Sequence, residues 1–346
     1  SDIMHPVLNV AVEAAHAAAK IMRRQLQHVD AIPVERKARH DYVSEVDRAC
    51  EEEIVREIRR YYPDHAFLAE EGGRDGDGDT VWIIDPLDGT TNYLHGLPHF
   101  AVSIAQQVRG RTEHGVVYDP MRDELFTASR GKGAYLNNKR MRVASRKSLE
   151  NAILATAFPS RQRKLIPAYG RIFQAVFSKV EDFRRAGTAS LDLAWVAAGR
   201  MDGYFEVGLN AWDVAAGALL VREAGGVVLD FDGNDAVEEA GSIIAAPYKV
   251  MTQLRQIIAE KWQPGDNAAG LCRGDCRLLR ILVDRRAFFF HRQQVELADP
   301  QFQQGRAGDV NGRIGTHQHA NDQRKREGVD DLAAEDEQRC QYQQRG

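Results

Sequence analysis

The stretch that decides the fold is Val81-Trp-Ile-Ile-Asp-Pro-Leu-Asp-Gly-Thr-Thr-Asn-Tyr93. Its first half is a run of apolar, strand-forming residues that ends in a carboxylate, Asp85, and Pro86 is expected to break the strand there. A second carboxylate follows at Asp88. The step Gly89-Thr90-Thr91 can then begin a helix, whose backbone N–H groups and positive dipole end suit a phosphate. The stretch is interpreted as a strand that delivers two acids into a turn; an ordinary surface turn with solvated aspartates is the alternative.

This arrangement favours Mg²⁺-dependent phosphate chemistry. Carboxylate oxygens are ligands of hard cations such as Mg²⁺, and in this interpretation they lie beside a phosphate cradle. Covalent aspartyl phosphatases carry two acids two positions apart, whereas Asp85 and Asp88 are three apart with Pro86 between them. Direct attack by water, supported by metal ions, therefore fits better than an aspartyl-phosphate intermediate.

The composition is that of an ordinary soluble protein. The chain has 346 residues, 43% of them hydrophobic and 28% charged, with a formal net charge of -4. These values fit one large α/β domain or two domains, and they carry no signal for nucleic acid or an anionic membrane. No apolar run is long enough to span a bilayer, and the N-terminus lacks the form of a secretion signal. We therefore expect a cytoplasmic protein without membrane contact.

The four cysteines are few and scattered, which argues against a disulfide framework. Cys272 and Cys276 are close together, but no histidine or second cysteine pair follows at the spacing of a zinc finger. We therefore expect neither a disulfide framework nor a zinc site.

The residues before the opening stretch predict two helices. Apolar residues recur near helical spacing from Pro6 to about His28, and Pro33 then forces an extended segment that carries Lys37. Ser44-Glu45-Val46-Asp47 has the form of a capping box that begins the second helix. The helix dipole alone would favour the carboxylate of Asp47 in this first turn, so a structural role and a functional role are both open for it.

Further acids lie at the ends of predicted elements. A short buried strand at 66–69 runs into Glu70 and Glu71, and two glycines follow, which repeats the pattern of the opening stretch. Asp213 lies at the start of a later helix after Trp212, where helix capping by itself would explain it. An α/β fold gathers such termini at one edge, and clustered carboxylates raise one another's pKa unless cations neutralise them. Two or more Mg²⁺ ions would do so.

The remaining sequence predicts a layered α/β (α+β) sandwich. Short segments separated by turn signals predict an antiparallel meander, with strands at 100–108, 112–118, 124–128 and 134–136. Strands and helices then alternate, with strands at 153–157, 182–184, 201–207, 227–229 and 242–245, and helices at 166–180, from 187, from 212 and at 248–261. A loop at 74–80, rich in Gly and Asp, is expected to be flexible.

We expect one domain over residues 1–262, with the helix pair and antiparallel sheet in 1–145 and an α/β part in 146–262. Residues 263–346 are rich in Gln, Arg, Asp and Gly, with no sustained apolar period apart from Leu278 to Phe290. They predict a disordered or aberrant tail, for instance a frame-shifted or read-through end. A partner-binding extension is the alternative.

Three blocks of the sequence together resemble a known family. They are Glu70-Glu71, Asp85-Pro-Leu-Asp-Gly-Thr-Thr-Asn92 and Trp212-Asp-Val-Ala-Ala-Gly217. In this order they resemble the signatures of the inositol monophosphatase family, over about residues 5–260 and most closely those of its bacterial inositol-1-monophosphatases. The resemblance implies the layered αβαβα fold of the inositol monophosphatase and fructose-1,6-bisphosphatase-like sugar phosphatases. It also implies an inositol-phosphate phosphatase that releases inositol and phosphate, is inhibited by lithium and forms a homodimer.

The resemblance implies two to three Mg²⁺ ions. The first would be held by Glu70, Asp85 and the backbone carbonyl of Leu87. The second would be held by Asp85, Asp88 and Asp213, with Asp85 bridging, and a weaker third would rest on Glu70 and water. One ion would lower the pKa of a bound water for in-line attack, and the other would stabilise the departing alkoxide.

The resemblance also implies how the substrate is held. The candidate catalytic residues are Glu70, Thr90 and Asp47, of which Thr90, with Asp47 behind it, would orient the attacking water. The substrate contacts would be the N–H groups of Gly89 and Thr90 at the phosphate, Gly187, Thr188 and Ala189 at the inositol ring, Glu206 at a ring hydroxyl, and Lys37 near the phosphate.

The identity of the alcohol that is released from the phosphate ester is still open at this point. Relatives with similar metal motifs act as fructose-1,6-bisphosphatase, histidinol phosphatase or 3',5'-bisphosphate nucleotidase, and all need the same acids. A hypothesis of another class is a regulatory binding protein of an RNA-associated complex, with vestigial acids. The retained metal ligands argue against lost catalysis without excluding a second role, and we expect no nucleic acid as a direct ligand.

Overall fold

The computed structural model describes residues 5–27, 34–38, 41–160 and 162–262, with residues 34–38 and 41–44 described by their backbone alone. The predicted tail, Cys272 and Cys276 lie outside these residues, so the predictions for them remain untested. Cys50, on the second helix, is a buried free thiol.

The chain begins with two helices joined by a hairpin. These elements are α1 (Pro6–Leu26), β1 (Val34–Ala38), β2 (Asp41–Ser44) and α2 (Glu45–Arg59). The buried face of α1 is mostly alanine, and such small side chains let α1 lie close to Cys50 and Ile54 of α2. Both predicted helices are confirmed, and α2 begins directly after Ser44.

An eight-stranded sheet follows. Its elements, with a short helix after the third strand, are β3 (Ala66–Ala69), β4 (Gly73–Asp75), β5 (Thr80–Asp88), α3 (Thr90–Leu94), β6 (Ala101–Val108), β7 (Arg111–Asp119), β8 (Glu124–Ser129), β9 (Gly133–Leu136) and β10 (Lys139–Arg140). The spatial order of the strands is β10-β9-β8-β7-β6-β5-β3-β4. The strands from β5 to β10 pair antiparallel, as the predicted meander requires, and only β3 and β5 pair in parallel within this sheet. Part of the loop predicted to be flexible forms β4 instead.

The prediction that Pro86 ends the strand is wrong, because β5 continues to Asp88. Asp85 pairs with Ser103 and Asp88 pairs with Ala101, so two residues of β5 stand opposite one residue of β6. This bulge accommodates Pro86, which has no N–H to donate to the ladder. The strand resumes beyond the bulge and places the second acid in the sheet.

The second half adds a five-stranded sheet. Its elements are β11 (Ile153–Thr156), α4 (Ile166–Phe177), β12 (Asp182–Arg184), α5 (Ala189–Ala197), β13 (Gly203–Val207), α6 (Ala211–Glu223), β14 (Val227–Leu229), α7 (Val237–Ala240), β15 (Ser242–Ala246) and α8 (Tyr248–Lys261). The spatial order of the strands is β12-β11-β13-β15-β14. Strand β11 runs parallel to β12 and β13, and β15 runs antiparallel to both of its neighbours.

The elements stack as helix pair, sheet, helix pair, sheet, helix pair. Along β5, Trp82 and Ile84 pack under α1 and α2, whereas Ile83 packs under α5 and α6, as the two-residue period of a strand dictates. Helices α4 and α8 cover the outer face of the second sheet, where Phe205 and Ile244 are buried. The predicted αβαβα sandwich is confirmed. None of the helices in the described ranges is long and apolar enough to cross a bilayer.

Candidate functional site

Three of the predicted acids meet because β3 and β5 are parallel neighbours. Glu70 follows β3, and its N–H donates to the carbonyl of Ile84 over 3.1 Å, which sets it beside Asp85. Asp85 and Asp88 are both buried on β5, on either side of the bulge. The carboxyl ends of parallel strands lie at one edge of a sheet, so the fold concentrates these charges there.

Helices α5 and α6, which pack on the other face of the first sheet from α1 and α2, contribute further polar side chains to the site. The Oδ2 atom of Asp213 accepts the N–H of Asn210 over 2.6 Å, so Asp213 caps α6 and also lines the cavity described below. Ser190, in the first turn of α5, donates both its N–H (2.7 Å) and its hydroxyl (2.6 Å) to Oδ2 of Asp88. Sequence reasoning missed Ser190, although its place in the first turn after Gly187 was a usable signal.

One cavity of about 310 Å³ collects most of the predicted residues. The predicted residues that line it are Glu70, Asp85, Asp88, Gly89, Thr90, Gly187, Thr188, Ala189, Glu206 and Asp213. Its wall also contains Phe158, Gln162 and Arg185, which the sequence did not single out. A polar cavity of this size suits a small phosphorylated molecule.

Asp47 and Leu87 lie behind the wall of this cavity. The hydroxyl of Thr90 donates to Oδ1 of Asp47 over 3.0 Å and lies 3.2 Å from the carbonyl of Leu87. The N–H of Leu87 donates to Oδ1 of Asp85 over 3.1 Å. Asp47 is therefore in direct contact with Thr90, and the water-orienting role that the resemblance implies for this pair stays a prediction.

Lys37 lies on β1, where only the backbone is described. Its predicted place near the phosphate falls outside the described side chains and remains a prediction.

The turn at Gly89 is closely packed. Gly89 has φ +95°, and a Cβ atom there would lie 2.6 Å from Oγ1 of Thr188. The helix predicted to begin here is α3, which has only five residues, so the positive dipole end that it offers to a phosphate is small. Any phosphate at this turn therefore depends more on local N–H groups and on cations than on a helix dipole.

Asn92 ties this turn to the second half of the chain. Its Nδ2 donates to the carbonyl of His99 over 2.8 Å and to the carbonyl of Ala186 over 2.9 Å. The hydroxyl of Thr188 donates to the same His99 carbonyl over 3.0 Å. These bonds fix the segment that carries Gly187 against the turn that carries Gly89.

The buried acids raise one another's pKa. Burial, followed by the charges of Glu70, Asp88 and Asp213, holds the pKa of Asp85 well above its usual range. Burial and the charge of Asp213 raise the pKa of Asp88 to about 7, although the hydrogen bonds from Ser190 oppose that shift. The site can carry its full negative charge only when cations stand among the acids.

A second acidic pair lies on the side of Glu206. Burial raises the pKa of Glu206 to about 8, against the opposing effect of the Tyr204 hydroxyl, which donates to Oε2 over 2.5 Å. Asp192 is fully buried, and neither of its carboxyl oxygens has a hydrogen-bond partner. Burial and the charge of Glu206 hold the pKa of Asp192 well above its usual range, and Arg185 acts in the opposite direction.

The donor set fits Mg²⁺. Among the described residues, no group of three or more His, Cys, Asp or Glu side chains is arranged to hold a metal ion. The acids converge on an open cavity instead, which suits a hard cation that keeps several waters and takes the rest of its shell from carboxylates and phosphate. Glu70, Asp85, Asp88 and Asp213 are the residues that could hold such ions.

Comparison with known proteins identifies the family. The model of the inositol monophosphatase family matches residues 3–263. The chain belongs to the inositol monophosphatase family. A Haemophilus influenzae relative called Nus factor SuhB is 52% identical over 253 residues, which cover 72% of this chain and 95% of the relative.

Solved structures of family members have the same fold. The extragenic suppressor protein SuhB of Bartonella henselae has 43% identity and a TM-score of 0.72, and the match covers 73% of this chain and 98% of that one. The inositol monophosphatase of Anabaena (Nostoc) sp. PCC 7120 has 37% identity and a TM-score of 0.65, with 73% and 95% of the two chains covered. This family member therefore has relatives with a phosphatase name and relatives with the name of a Nus factor.

Proposed function

We propose that this protein is a Mg²⁺-dependent phosphomonoesterase that hydrolyses inositol monophosphate to inositol and phosphate. The observation that carries the proposal is the convergence of Glu70, Asp85, Asp88 and Asp213 on one cavity. Burial and mutual repulsion raise the pKa values of Asp85 and Asp88, and bound cations would relieve this repulsion and keep both acids ionised.

In the proposed mechanism the acids divide the binding of Mg²⁺ between them. Glu70, Asp85 and the carbonyl of Leu87 form one set, and Asp85, Asp88 and Asp213 form another. Bound Mg²⁺ would polarise the phosphoryl oxygens and lower the pKa of a water molecule. Ser190 keeps Oδ2 of Asp88 fixed through two hydrogen bonds, which leaves the orientation of that ligand independent of the substrate.

Thr90 and Asp47 would handle the attacking water. The Thr90 hydroxyl donates to Asp47, so its lone pairs can accept a hydrogen bond from a water in the cavity. The buried carboxylate of Asp47 would thus fix the direction of the Thr90 hydroxyl and aim the water at phosphorus.

The opposite side of the cavity would bind the alcohol that leaves. Glu206 can accept hydrogen bonds from ring hydroxyls, and the segment 187–189 borders the same space. Arg185 adds a cation on this side, which would suit a substrate with a further anionic or strongly polar group. These features favour a polyol phosphate over an apolar ester.

A phosphate-release screen tests this proposal. Purified protein would be assayed with Mg²⁺ against inositol 1-phosphate, fructose 1,6-bisphosphate, histidinol phosphate and adenosine 3',5'-bisphosphate. We expect the highest kcat/KM for inositol 1-phosphate, no release without Mg²⁺, and inhibition by lithium. A higher kcat/KM for one of the other esters would transfer the assignment to that substrate, and no release from any of them would refute the proposed activity.

A second candidate function is regulatory binding in an RNA-associated complex. It is favoured by the name Nus factor SuhB of a relative with 52% identity. Pull-down of the tagged protein from lysate, with and without nuclease treatment, tests it. Co-purification of the same proteins in both samples would support direct protein contacts, and loss of all partners with nuclease would point to association through RNA.

We also propose a homodimer on the basis of the family resemblance. Light scattering of the purified chain would give twice the monomer mass. A monomer mass across the concentration range of the assay would contradict this.

A further inference from the structure

Helix α2 carries two buried acids one turn apart on the same face. Asp47 and Glu51 are 1% and 8% exposed, whereas the neighbouring Glu52 is exposed. Residues four apart on a helix are neighbours on one face, so both carboxylates lie on the same buried face of α2. Neither of them lines the cavity. Asp47 already has a place in the proposed mechanism, but Glu51 has none.

Glu51 holds the turn that follows β3. Its Oε2 accepts the N–H of Glu71 over 2.8 Å, and its Oε1 accepts the N–H of Gly72 over 2.7 Å. Both oxygens are thus used on two successive backbone donors. A Cβ atom at Gly72 would lie 2.7 Å from Oε1 of Glu51, so the turn packs closely against this carboxylate.

The residue held by this turn is Glu70. Its own N–H donates to the carbonyl of Ile84, so three successive N–H groups, from Glu70 to Gly72, are fixed. Glu70 lines the cavity, and its side chain makes a hydrogen bond with the buried carboxyl group of Asp85. One turn earlier on α2, Asp47 accepts the side-chain hydroxyl of Thr90, which also lines the cavity.

We infer that Glu51 is a positioning residue, which fixes the loop of Glu70 and thereby sets the affinity of the site for Mg²⁺. The inference rests on the proposed function, since it requires Glu70 to bind Mg²⁺. Glu51 does not line the cavity, and its two carboxyl oxygens accept from the N–H groups of Glu71 and Gly72, so its effect on the site would pass through the loop that carries Glu70. Outer-shell partners of metal ligands act in this way, and their loss weakens metal binding.

The test is Glu51→Gln in the full chain, with Glu52→Gln as the matched control. The amide keeps one acceptor oxygen but turns an NH₂ group towards the second backbone N–H. Titration calorimetry with Mg²⁺ alone should show a Kd raised about tenfold to a hundredfold in E51Q. E52Q makes the same charge change at an exposed position and should bind like the wild type.

A double-mutant cycle separates positioning from a general structural effect. If Glu51 acts through Glu70, adding E51Q to Glu70→Gln should change the Mg²⁺ Kd by less than about twofold. Equal factors for E51Q in both backgrounds would overturn the inference, as would a wild-type Kd for folded E51Q. Phosphate release by E51Q should recover at high Mg²⁺, with a nearly unchanged KM for the ester.

If E51Q does not fold, a second variant tests the positioning role of Glu51. Gly72→Ala keeps the carboxylate but places a methyl group against Oε1, so it should weaken Mg²⁺ binding in the same direction. Folded G72A with wild-type affinity would then overturn the inference. A wild-type protein that binds no Mg²⁺ would overturn the proposed function as well, whereas one that binds Mg²⁺ equally in all variants would overturn the positioning role alone.

Discussion

At the scale of single residues, Asp85 is the ligand shared by both proposed metal sets. Replacement by Asn removes a charge at a fully buried position. We predict that Asp85→Asn lowers kcat/KM by more than about a hundredfold, because the bridging charge is lost. Its Tm without metal should equal or exceed that of the wild type, since a buried repulsion is relieved. Near-wild-type phosphate release across a Mg²⁺ titration would count decisively against the site.

The raised pKa values predict how pH acts on the metal-free protein. In the folded protein, burial and neighbouring acids raise the pKa of Asp88 from 3.8 to about 7 and that of Glu206 from 4.5 to about 8. At these two groups the folded state therefore holds more protons than the unfolded state between about pH 4 and 8, so their contribution to stability falls as pH rises through this window.

Mg²⁺ should counteract this loss of stability at higher pH, because it binds the ionised site in the folded state only. Thermal unfolding from pH 5 to 9 checks both effects, with EDTA in one series and Mg²⁺ in the other. We expect the Tm in EDTA to fall as the pH rises. We expect the difference in Tm between the Mg²⁺ and EDTA series to become larger as the pH rises. A Tm that rises with pH from 5 to 8 in EDTA would show that these acids do not dominate the pH response.

At the scale of elements, the turn between β5 and α3 depends on its first glycine. Gly89→Ala would combine a positive φ with a contact of 2.6 Å, and we expect a loss of about 1–3 kcal/mol in the free energy of unfolding, together with loss of activity. Gly96→Ala is the control, because it also has a positive φ but no atom within 4 Å of the added Cβ. Urea unfolding should show about 1 kcal/mol or less for the control. Equal losses in both variants would mean that backbone conformation, and not packing against Thr188, decides the effect.

At the scale of the whole molecule, we predict that residues 1–262 fold and act alone. The last described residue, Trp262, is buried and packs edge-to-face on Phe231 with ring centroids 5.1 Å apart, which closes the outer layer. A chain that ends shortly after Trp262 should keep its Tm within a few degrees and keep its Mg²⁺-dependent phosphate release. Aggregation or inactivity of this chain, beside an active full-length protein, would assign a structural role to the tail. Mass spectrometry of the native protein would show whether it contains tail peptides.

Local sequence patterns predicted most elements of this fold. The alternation along β5, the turn signals of the meander and the alanine-rich period of α1 act between near neighbours in the chain, so they can be seen without the fold. The extent of β5 could not be seen in this way. Local rules predict that Pro86 ends the strand. In the folded protein β5 continues to pair with β6, and a bulge accommodates Pro86.

The sequence by itself determined the family, the αβαβα order and the acids that the cavity collects. The family follows from the resemblance of three blocks in order, Glu70-Glu71, residues 85–92 and residues 212–217, to the signatures of the inositol monophosphatase family. Each block is formed by near neighbours in the chain and is therefore visible without the fold, whereas the strand end and its two acids by themselves left an ordinary surface turn open. Only the tertiary structure decided which groups hold those acids in place. Ser190 contacts Asp88 across 102 positions of the chain, and Glu51 holds the Glu70 loop across 20 and 21 positions. Such contacts depend on how the layers pack, and no local pattern encodes the packing.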